Sequence, residues 1–461
     1  MRSAYGIMAP AMSPASTPAP PRADIVGSLL RPEYLRQARQ GVREGRVTAA
    51  ALRDTEDRAV REAIALQEGA GLDVITDGEL RRASWVITIP LREDAAARAP
   101  LTGFEFLPAD PGWWSLWKEP DGRKAQVWMS PTRPFITRPI AVVRDVVSDE
   151  YAFLRSAARA RTKFTIPSPS WHRIFWHPEY SRAAYPTPEA FLRAIAGYLR
   201  EQVVPRIVAL GGDYVQMDAP NYAQWHVDRD NRAAFEAWGH DMAAELAADA
   251  EIDDSVFDGV RGITRAIHIC RGNAPGGRWL ADGGYERIAA EVFPRLTRYD
   301  RLLLEYDTPR AGDFGPLRHV RADATVVLGL LTTKQGALED ADAVEGRLRE
   351  AARLVPLERL ALSPQCGFAS GEAGNPLTPA QQEAKLHRVG EVAGGSGPRA
   401  SGGCSGRRRD RAGARRASRR RSGERGGKRP GRASGAAPPR ARAACPAARP
   451  APPSRRRDRP G

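Results

Sequence analysis

The sequence of 461 residues predicts an α/β protein with the architecture of a (β/α)8 TIM barrel. Two observations predict this class. Short apolar runs alternate with longer helical patterns, which is typical of βαβ units and a parallel sheet. Eight such runs fall within roughly 370 residues, and a (β/α)8 barrel needs eight strands, so the chemistry should lie at the carboxyl ends of the strands.

The apolar runs place the strands in order along the chain. Helical patterns lie between most of them, as at 48–71 before the second strand and at 188–211 before the fourth. Both segments repeat their apolar residues at helical spacing and are long enough for barrel helices. The eight predicted strands occupy residues 24–28, 72–76, 163–167, 213–217, 265–269, 301–305, 325–329 and 359–363.

Residues 80–150 interrupt this alternation after the second strand. They are rich in Trp, Pro and Gly, and residues 139–147 alternate like a strand, which predicts a β-hairpin insertion. An insertion at the end of the second strand would lie over the active face of a barrel. A lid over the site and a local packing element both fit this pattern.

Composition divides the chain into a disordered leader at 1–22, a catalytic barrel at 23–393 and a disordered tail at 394–461. Prolines interrupt the leader before an apolar run of signal-peptide length can form. The tail is rich in Arg, Ala, Gly and Pro and lacks the apolar periodicity of a core. Residues 399–461 carry 21 Lys or Arg against 3 Asp or Glu, so the net charge of +15 belongs to the tail and the barrel is slightly acidic.

The basic tail allows two interpretations. Nonspecific contact with polyanions fits because dense arginine neutralises phosphates. The alternative is an extension without function, such as the product of a reading-frame shift, because the helical pattern at 381–395 stops abruptly.

Cysteine usage and hydropathy predict a cytoplasmic protein. Of the four cysteines, Cys404 and Cys445 lie in the tail, so the sequence does not indicate a disulfide framework. No apolar run approaches the roughly 18 residues of a membrane helix, and we expect no membrane partner. The oligomeric state stays open.

A set of metal-binding residue types follows the later strands. His268 and Cys270 are two residues apart at the end of a predicted strand, so their side chains share one face. Glu305 closes another apolar run, and Cys366 follows the last strand. Two thiolates, an imidazole and a carboxylate form a four-coordinate set that suits zinc better than magnesium or calcium.

These motifs resemble those of the cobalamin-independent methionine synthases. HIC at 268–270, LEYD at 304–307 and SPQCGF at 363–368 stand in the order that the family uses for its zinc ligands. VGS at 26–28, DGE at 77–79 and VQMDAP at 215–220 are further matches. The resemblance covers about residues 24–390 and corresponds to the catalytic C-terminal barrel of the long enzymes or to the short single-barrel members.

The resemblance implies a zinc-dependent S-methyltransferase that forms methionine from homocysteine and a methylated folate. Zinc would be held by His268, Cys270, Glu305 and Cys366. Trp171 would stack on the folate, although the aromatic residues around it would also suit the packing of a loop. The residues implied for binding homocysteine are Val26, Gly27, Ser28, Glu79 and Asp218.

Two segments depart from the family, and in the first of them VQMDAP lacks the Glu of the family's usual VDEP. The long enzymes carry a candidate acid histidine after the seventh strand, whereas this chain reads LLTTKQ and places Lys334 there, with Thr332 and Thr333 beside it. We take Lys334 as the candidate acid, since a departing folate amine needs a proton. The departure keeps two alternatives open: a related zinc enzyme that opens epoxides with coenzyme M, or a non-catalytic barrel with a polyanion-binding tail.

Overall fold

The computed structural model describes residues 22–90, 98–108, 117–124 and 132–395. The predicted disorder of the leader and of the tail concerns residues that lie almost wholly outside these ranges and stays a prediction. Among the described helices, none combines the length and the apolarity needed to cross a membrane.

The described chain alternates strands and helices as the sequence predicts. The strands are β1 (Val74–Ile75), β2 (Leu101–Pro108), β3 (Thr132–Val142), β4 (Arg161–Thr162), β5 (Phe164–Pro167), β6 (Tyr214–Asp218), β7 (Thr264–Ile269), β8 (Arg301–Glu305), β9 (Thr325–Leu331) and β10 (Leu360–Pro364). The helices are α1 (Glu33–Arg43), α2 (Ala49–Gly69), α3 (Val146–Ala157), α4 (Pro188–Tyr198), α5 (Val204–Ala209), α6 (Asn221–His226), α7 (Arg229–Ala237), α8 (Met242–Ser255), α9 (Glu286–Val292), α10 (Ala341–Ala351) and α11 (Pro379–Gly395).

The parallel strands close into the predicted barrel. Strands β5 to β10 pair in chain order, and β4, which directly precedes β5, pairs with β1. Residues 22–24 lie between β10 and β1, because the Asp24 amide donates to the Leu362 carbonyl at 2.9 Å and the Asp73 amide donates to the Ala23 carbonyl at 3.0 Å. Eight strand positions therefore surround one interior, which confirms the fold class.

The first predicted strand, 24–28, is wrong as a regular strand. The chain makes a single parallel bridge, Ala23 to Leu362, and then leaves the sheet. Its next residues turn toward the cavity described below, where Val26 and Ser28 contribute to the wall. The predicted strand at 72–76 shortens to the two residues of β1 for the same reason, since its neighbour in the barrel is not a full strand.

Side-chain caps start several of the barrel helices. Thr48 accepts a hydrogen bond from the Ala51 amide at the start of α2, and Thr187 does the same for the Ala190 amide at the start of α4. Asp340 caps α10 in the same way through the Ala343 amide. These oxygens satisfy amides that have no partner within the first turn, so the sequence itself fixes where the helices begin.

The insertion after the second strand contains the predicted hairpin. Strands β2 and β3 pair antiparallel, from Leu101 opposite Val142 to Pro108 opposite Thr132. The segment 117–124 attaches to the loop after β7, where the Lys118 amide donates to the Trp279 carbonyl at 2.8 Å. The insertion therefore contacts the face of the barrel at which β7 ends.

The barrel interior contains a buried charged group between β4 and β5. The ammonium of Lys163, which is fully buried, donates to Asp24 Oδ1 and to Gln216 Oε1, both at 2.7 Å. Asp24 also accepts from the Arg301 guanidinium at 2.9 Å and from the Tyr214 hydroxyl at 2.8 Å. Burial alone would raise the pKa of Asp24, but the charges of Lys163 and Arg301 outweigh it and keep that pKa low.

We expect Lys163→Met to lower the free energy of unfolding by about 3–5 kcal/mol, because the change leaves the buried Asp24 carboxylate short of a partner. Urea denaturation followed by circular dichroism measures the loss. The control is Arg295→Met. Arg295 lies in the turn after α9 and forms an exposed ion pair with Glu291 of that helix, so this change should cost at most about 1 kcal/mol. Equal losses in the two variants would contradict the role given to Lys163.

Candidate metal centre and active site

A cavity of about 280 Å³ opens among the carboxyl ends of the strands. Most of the residues that the sequence singles out line it, which brings together segments up to 340 positions apart in the chain. Gly27, Glu305 and Lys334 are not among its described lining residues. The predicted residues that do line it are Val26, Ser28, Glu79, Trp171, Asp218, His268, Cys270 and Cys366.

Three of the four predicted metal ligands form one buried group. The ligand atoms of His268, Cys270 and Cys366 all lie within 4.8 Å of one another. His268 and Cys270 are two residues apart at the carboxyl end of β7, so their side chains lie on one face. Cys366 comes from the turn after β10. Both cysteines are free thiols, so neither is committed to a disulfide.

The donor atoms of this group suit a metal ion. His268 Nδ1 donates to the Leu303 carbonyl at 3.3 Å, which orients the ring and leaves Nε2 as the free ligand atom. Nε2 is buried and has no hydrogen-bond partner among the described residues. One such imidazole nitrogen beside two thiol sulfurs is a set that fits zinc.

Proton affinities in the group follow from burial and crowding. The contact with Cys270, followed by burial, raises the pKa of Cys366 well above its usual value of 9.0. Burial would lower the pKa of His268, but its contact with Cys366 and the neighbouring acidic groups outweigh burial and raise it. A cation among the two sulfurs would offset the cost of ionising them, as expected of a metal site.

Glu305, the fourth predicted ligand, is held by other partners. Its Oε2 accepts from the Arg271 amide at 2.8 Å, and its Oε1 accepts from the Arg310 guanidinium at 2.7 Å. Burial would raise the pKa of Glu305, but the charges of Arg310, Lys334 and Arg271 outweigh it and lower the pKa. The carboxylate is thus ionised and buried, and it lies outside the three-residue group.

Glu79 reaches the cavity from a constrained backbone. Among the residues that the structure describes, it is the one non-glycine residue with a positive φ, 55°, a conformation that costs free energy and is concentrated at functional sites. Its amide donates to Asp77 Oδ1 at 2.9 Å, and its Oε1 accepts from the Thr165 hydroxyl at 2.9 Å. Oε2 has no hydrogen-bond partner among the described residues, so it can accept one from a ligand.

Gly27 acts through the room that it leaves. A Cβ atom at this position would lie 2.5 Å from Glu79 Oε1, which is closer than real Cβ contacts allow. A Cβ atom at Gly367, beside Cys366, would likewise lie too close to the hydroxyl of Ser28. The two glycines let the first segment of the chain, the Glu79 carboxylate and the last strand end approach one another.

Asp218 ends β6 directly beside His268, with which it is in register across the sheet. Its Oδ1 accepts from Gln216 Nε2 at 2.7 Å. Burial raises the pKa of Asp218 to about 6, since the nearby Glu79 adds to the effect and His268 only partly opposes it. Two carboxylates therefore share the cavity with the metal-binding group.

Aromatic side chains form much of the remaining wall. Trp171 is 8% exposed and packs against Trp85, with ring centroids 4.8 Å apart and ring planes at 66°. Trp117 and Phe175 also line the cavity. Trp171 thus both lines the cavity and packs within the loop, so its two sequence interpretations are compatible. Trp85 and Trp117 were not singled out from the sequence, although both lie in the Trp-rich insertion.

The structure does not place the predicted acid, Lys334, at the cavity. Its ammonium donates to the Gly272 carbonyl and to Asn273 Oδ1, both at 3.0 Å, and it lies 3.4 Å from the Arg278 carbonyl. An ammonium has three donors, and these acceptors use them to tie two loops together. The position that matches the family's acid therefore serves the scaffold here.

His172, next to Trp171, is also a structural residue. Its Nδ1 donates to the Ser168 carbonyl at 2.8 Å, so Nε2 accepts from the Thr88 hydroxyl at 2.7 Å. Burial lowers the pKa of His172 from 6.5 to about 4, because no carboxylate compensates for a charge there. His226 is likewise buried, and its pKa is lowered to about 3.

We expect His172 to make stability depend on pH. The neutral form is favoured in the folded state, so its contribution is complete above pH 6.5 and is lost as the pH falls toward 4. His172→Gln should therefore reduce the difference in free energy of unfolding between pH 7 and pH 5 by about 2 kcal/mol. Urea denaturation at both pH values tests this, with the exposed His387 on α11 changed to Gln as the control. An unchanged difference would show that His172 is not held neutral.

The (β/α)8 barrel carries a buried His–Cys–Cys group, two carboxylates and an aromatic wall at its strand ends. These features are those of a barrel enzyme with a candidate metal centre. No protein-family model matches the chain. The chain is 37% identical over 380 residues to the uncharacterized protein YxjH of Bacillus subtilis. This match covers 81% of this chain and 94% of that protein. A methionine synthase of Sulfurisphaera tokodaii is 26% identical over 216 residues, 45% of this chain and 56% of that protein.

Solved structures extend this relationship. A protein from Listeria monocytogenes assigned as a vitamin-B12 independent methionine synthase matches with a TM-score of 0.58 and 26% identity, over 82% of this chain and 99% of that one. A B12-independent methionine synthase from Shewanella sp. W3-18-1 has the same TM-score at 20% identity and shares the fold. The chain belongs to the cobalamin-independent methionine synthase family, as a short single-barrel member. This membership supports a methyltransferase role.

Proposed function

We propose that the chain is a zinc-dependent thiol S-methyltransferase that forms methionine from homocysteine and a methylated folate. The observation that carries the proposal is the buried group of His268, Cys270 and Cys366 beside the Glu79 and Asp218 carboxylates in one cavity. Family membership supports the reaction class. The cavity combines the three features that the reaction needs: residues that could bind a metal, a pocket for an amino acid and an apolar wall.

His268, Cys270 and Cys366 would hold the zinc ion. Bound there, zinc supplies a Lewis acid that keeps a substrate thiol deprotonated at neutral pH. The protein contributes the fixed imidazole, through the hydrogen bond of His268 to the Leu303 carbonyl, and a buried site that limits access of water. Both features favour a nucleophilic sulfur over a hydrated one.

The two carboxylates select the thiol. Glu79 and Asp218 would receive the ammonium group of homocysteine, and the free Oε2 of Glu79 is available for it. Ser28, which lines the same cavity, offers a hydroxyl donor for the substrate carboxylate. Held at both polar groups, the amino acid would direct its thiol toward the metal-binding residues.

The same carboxylates argue against coenzyme M as the thiol. Coenzyme M carries a sulfonate and no ammonium, so Glu79 and Asp218 would repel it in a pocket of low dielectric. The apolar wall of Trp85, Trp171 and Trp117 suits a planar donor such as a pterin, since aromatic faces stack on flat ring systems. Lys334 ties two loops together, so the position that matches the family's acid offers no proton donor for the folate amine. The epoxide-opening reaction therefore stays the second candidate.

We expect Cys366→Ser to lose most bound zinc and at least about 100-fold in the rate of thiol methylation, since a hydroxyl is a poor substitute for a thiolate ligand. Metal analysis and methionine formation from methylated folate measure the two effects. Cys404→Ser is the control, because that cysteine lies outside the described barrel. A Cys366 variant with full zinc and full turnover would refute the proposal. Epoxide consumption with coenzyme M, without methionine formation, would favour the second candidate.

We expect Gly27→Ala to raise KM for homocysteine about tenfold or more while zinc content stays unchanged. The added methyl displaces the Glu79 carboxylate and leaves the metal-binding residues in place. Steady-state kinetics and metal analysis on the same sample test this separation. Gly346→Ala on α10 is the control, because a Cβ there meets nothing within 4 Å. Unchanged KM would contradict the role of Glu79.

A further inference from the structure

Two side chains behind the Glu79 carboxylate form a hydrogen-bonded chain with it. Arg82 Nη1 donates to the Thr165 hydroxyl oxygen at 3.0 Å, and that hydroxyl donates to Glu79 Oε1 at 2.9 Å. Arg82 Nη1 lies 3.9 Å from the same Oε1, which is too far for a direct hydrogen bond. Glu79 lines the cavity, whereas Arg82 and Thr165 are buried and are not among its described lining residues. The Thr165 hydroxyl therefore connects a buried cation to a carboxylate of the site.

We propose that Arg82 is a positioning residue that acts through the Thr165 hydroxyl to fix Glu79, so that Glu79 Oε2 accepts from the ammonium group of an amino-acid substrate. The inference rests on the proposed function, because it takes Glu79 as a receptor of that ammonium. It deepens the proposed function by assigning the selection of an amino-acid thiol to side chains outside the cavity wall.

The direction of each hydrogen bond follows from the number of protons. A guanidinium has only donors, so the Thr165 oxygen must accept from Arg82, and the single proton of the hydroxyl is left for Glu79 Oε1. A hydroxyl that accepts from a cation is a stronger donor, because hydrogen bonds in a chain polarise one another. Oε1 is thus committed to the protein. Oε2, which has no hydrogen-bond partner among the described residues, remains for the ligand.

Packing fixes the Thr165 side chain. Its methyl carbon would lie 3.1 Å from a Cβ atom at Gly27, so the glycine leaves the room that this methyl group occupies. A β-branched side chain has a restricted χ1, and its methyl and hydroxyl groups are therefore placed together. While the methyl group packs against Gly27, the hydroxyl stays between Arg82 and Glu79.

Arg82 is itself held in place. Its Nε donates to Glu150 Oε2 at 2.7 Å, and its guanidinium lies over the Phe164 ring at 5.0 Å. Its amide donates to the Glu79 carbonyl at 3.1 Å and closes the turn that contains the positive φ of Glu79. Burial would lower the pKa of Arg82, but the charges of Glu150 and Glu79 outweigh it and raise that pKa. Arg82 therefore stays a cation beside the Glu79 carboxylate.

Norvaline tests the amino-acid pocket apart from metal binding and methyl transfer, because it has the shape of homocysteine without a thiol. Thr165→Val keeps the shape of the side chain and removes the hydroxyl, so we expect it to weaken norvaline binding about tenfold. Isothermal titration calorimetry on the full chain as purified measures the dissociation constant. Thr165→Ser keeps the hydroxyl and should bind norvaline within about threefold of the native chain.

Arg82→Gln tests the cation, and we expect it to weaken norvaline binding about fivefold or more. The control is Arg81→Gln. Arg81 is the neighbouring buried arginine, but its ion pairs are with Asp57 and Glu56 of α2, so its loss should lower stability without changing norvaline binding. In a Thr165→Val background, Arg82→Gln should weaken binding by no more than about twofold further, because the hydroxyl through which it acts is gone. Equal losses in the two arginine variants would overturn the role of Arg82.

A thiol without an ammonium group tests the same contact from the substrate side. The thiol γ-mercaptobutyrate has the homocysteine skeleton without the amino group. We expect Thr165→Val to lower kcat/KM for homocysteine about tenfold and to keep kcat/KM for γ-mercaptobutyrate within about twofold of the native value. Equal losses with both thiols would show a general distortion of the site and would overturn the proposal. This comparison tests the inference even if Arg82→Gln fails to fold.

The outcomes separate this inference from the proposed function. A native chain that binds norvaline and loses that binding in Thr165→Val, yet transfers no methyl group to homocysteine, would overturn the proposed reaction and leave the amino-acid pocket in place. A native chain that forms methionine, with Thr165→Val unchanged both in norvaline binding and in kcat/KM for homocysteine, would overturn only the inference.

Discussion

The buried ammonium of Lys163 is the interaction on which the arrangement of the cavity depends. An ionised group inside a barrel must have every donor satisfied, because the cost of removing it from water exceeds that of most single contacts. Lys163 meets this need through Asp24, the Ile25 carbonyl and Gln216. Gln216 in turn donates to the Val26 carbonyl and to Asp218. One charge between β4 and β5 thereby fixes the position of the first segment, which lacks a strand ladder, and of a cavity carboxylate on β6.

The fold could be predicted from sequence where strands are apolar and buried on both faces. The predictions for β6 to β10 agree with the structure within two residues, because a continuous apolar run bounded by turn residues identifies such strands. The first strand could not be predicted, since residues 22–28 are held by one bridge and by the network around Lys163. That network joins Asp24 to a lysine 139 positions away, and local periodicity carries no signal of such a contact.

The metal-binding residues could be predicted because residue type and position at a strand end identify them. His268 and Cys270 stand two apart at a strand end, and Cys366 was the only other cysteine of the predicted barrel, so their meeting follows from the fold. The partners of buried charges were not predictable. Arg310 lies five residues after Glu305 in a loop, and the acceptors of Lys334 come from another loop, so sequence position alone carries no signal of these contacts.

Charge balance gives these contacts a common purpose. In the proposed function, the thiolates of Cys270 and Cys366 would balance the charge of a divalent zinc ion. Pairing Glu305 with Arg310 keeps its charge neutralised by the protein. Glu79 and Asp218 line the cavity and, in the proposed function, would attract the substrate ammonium.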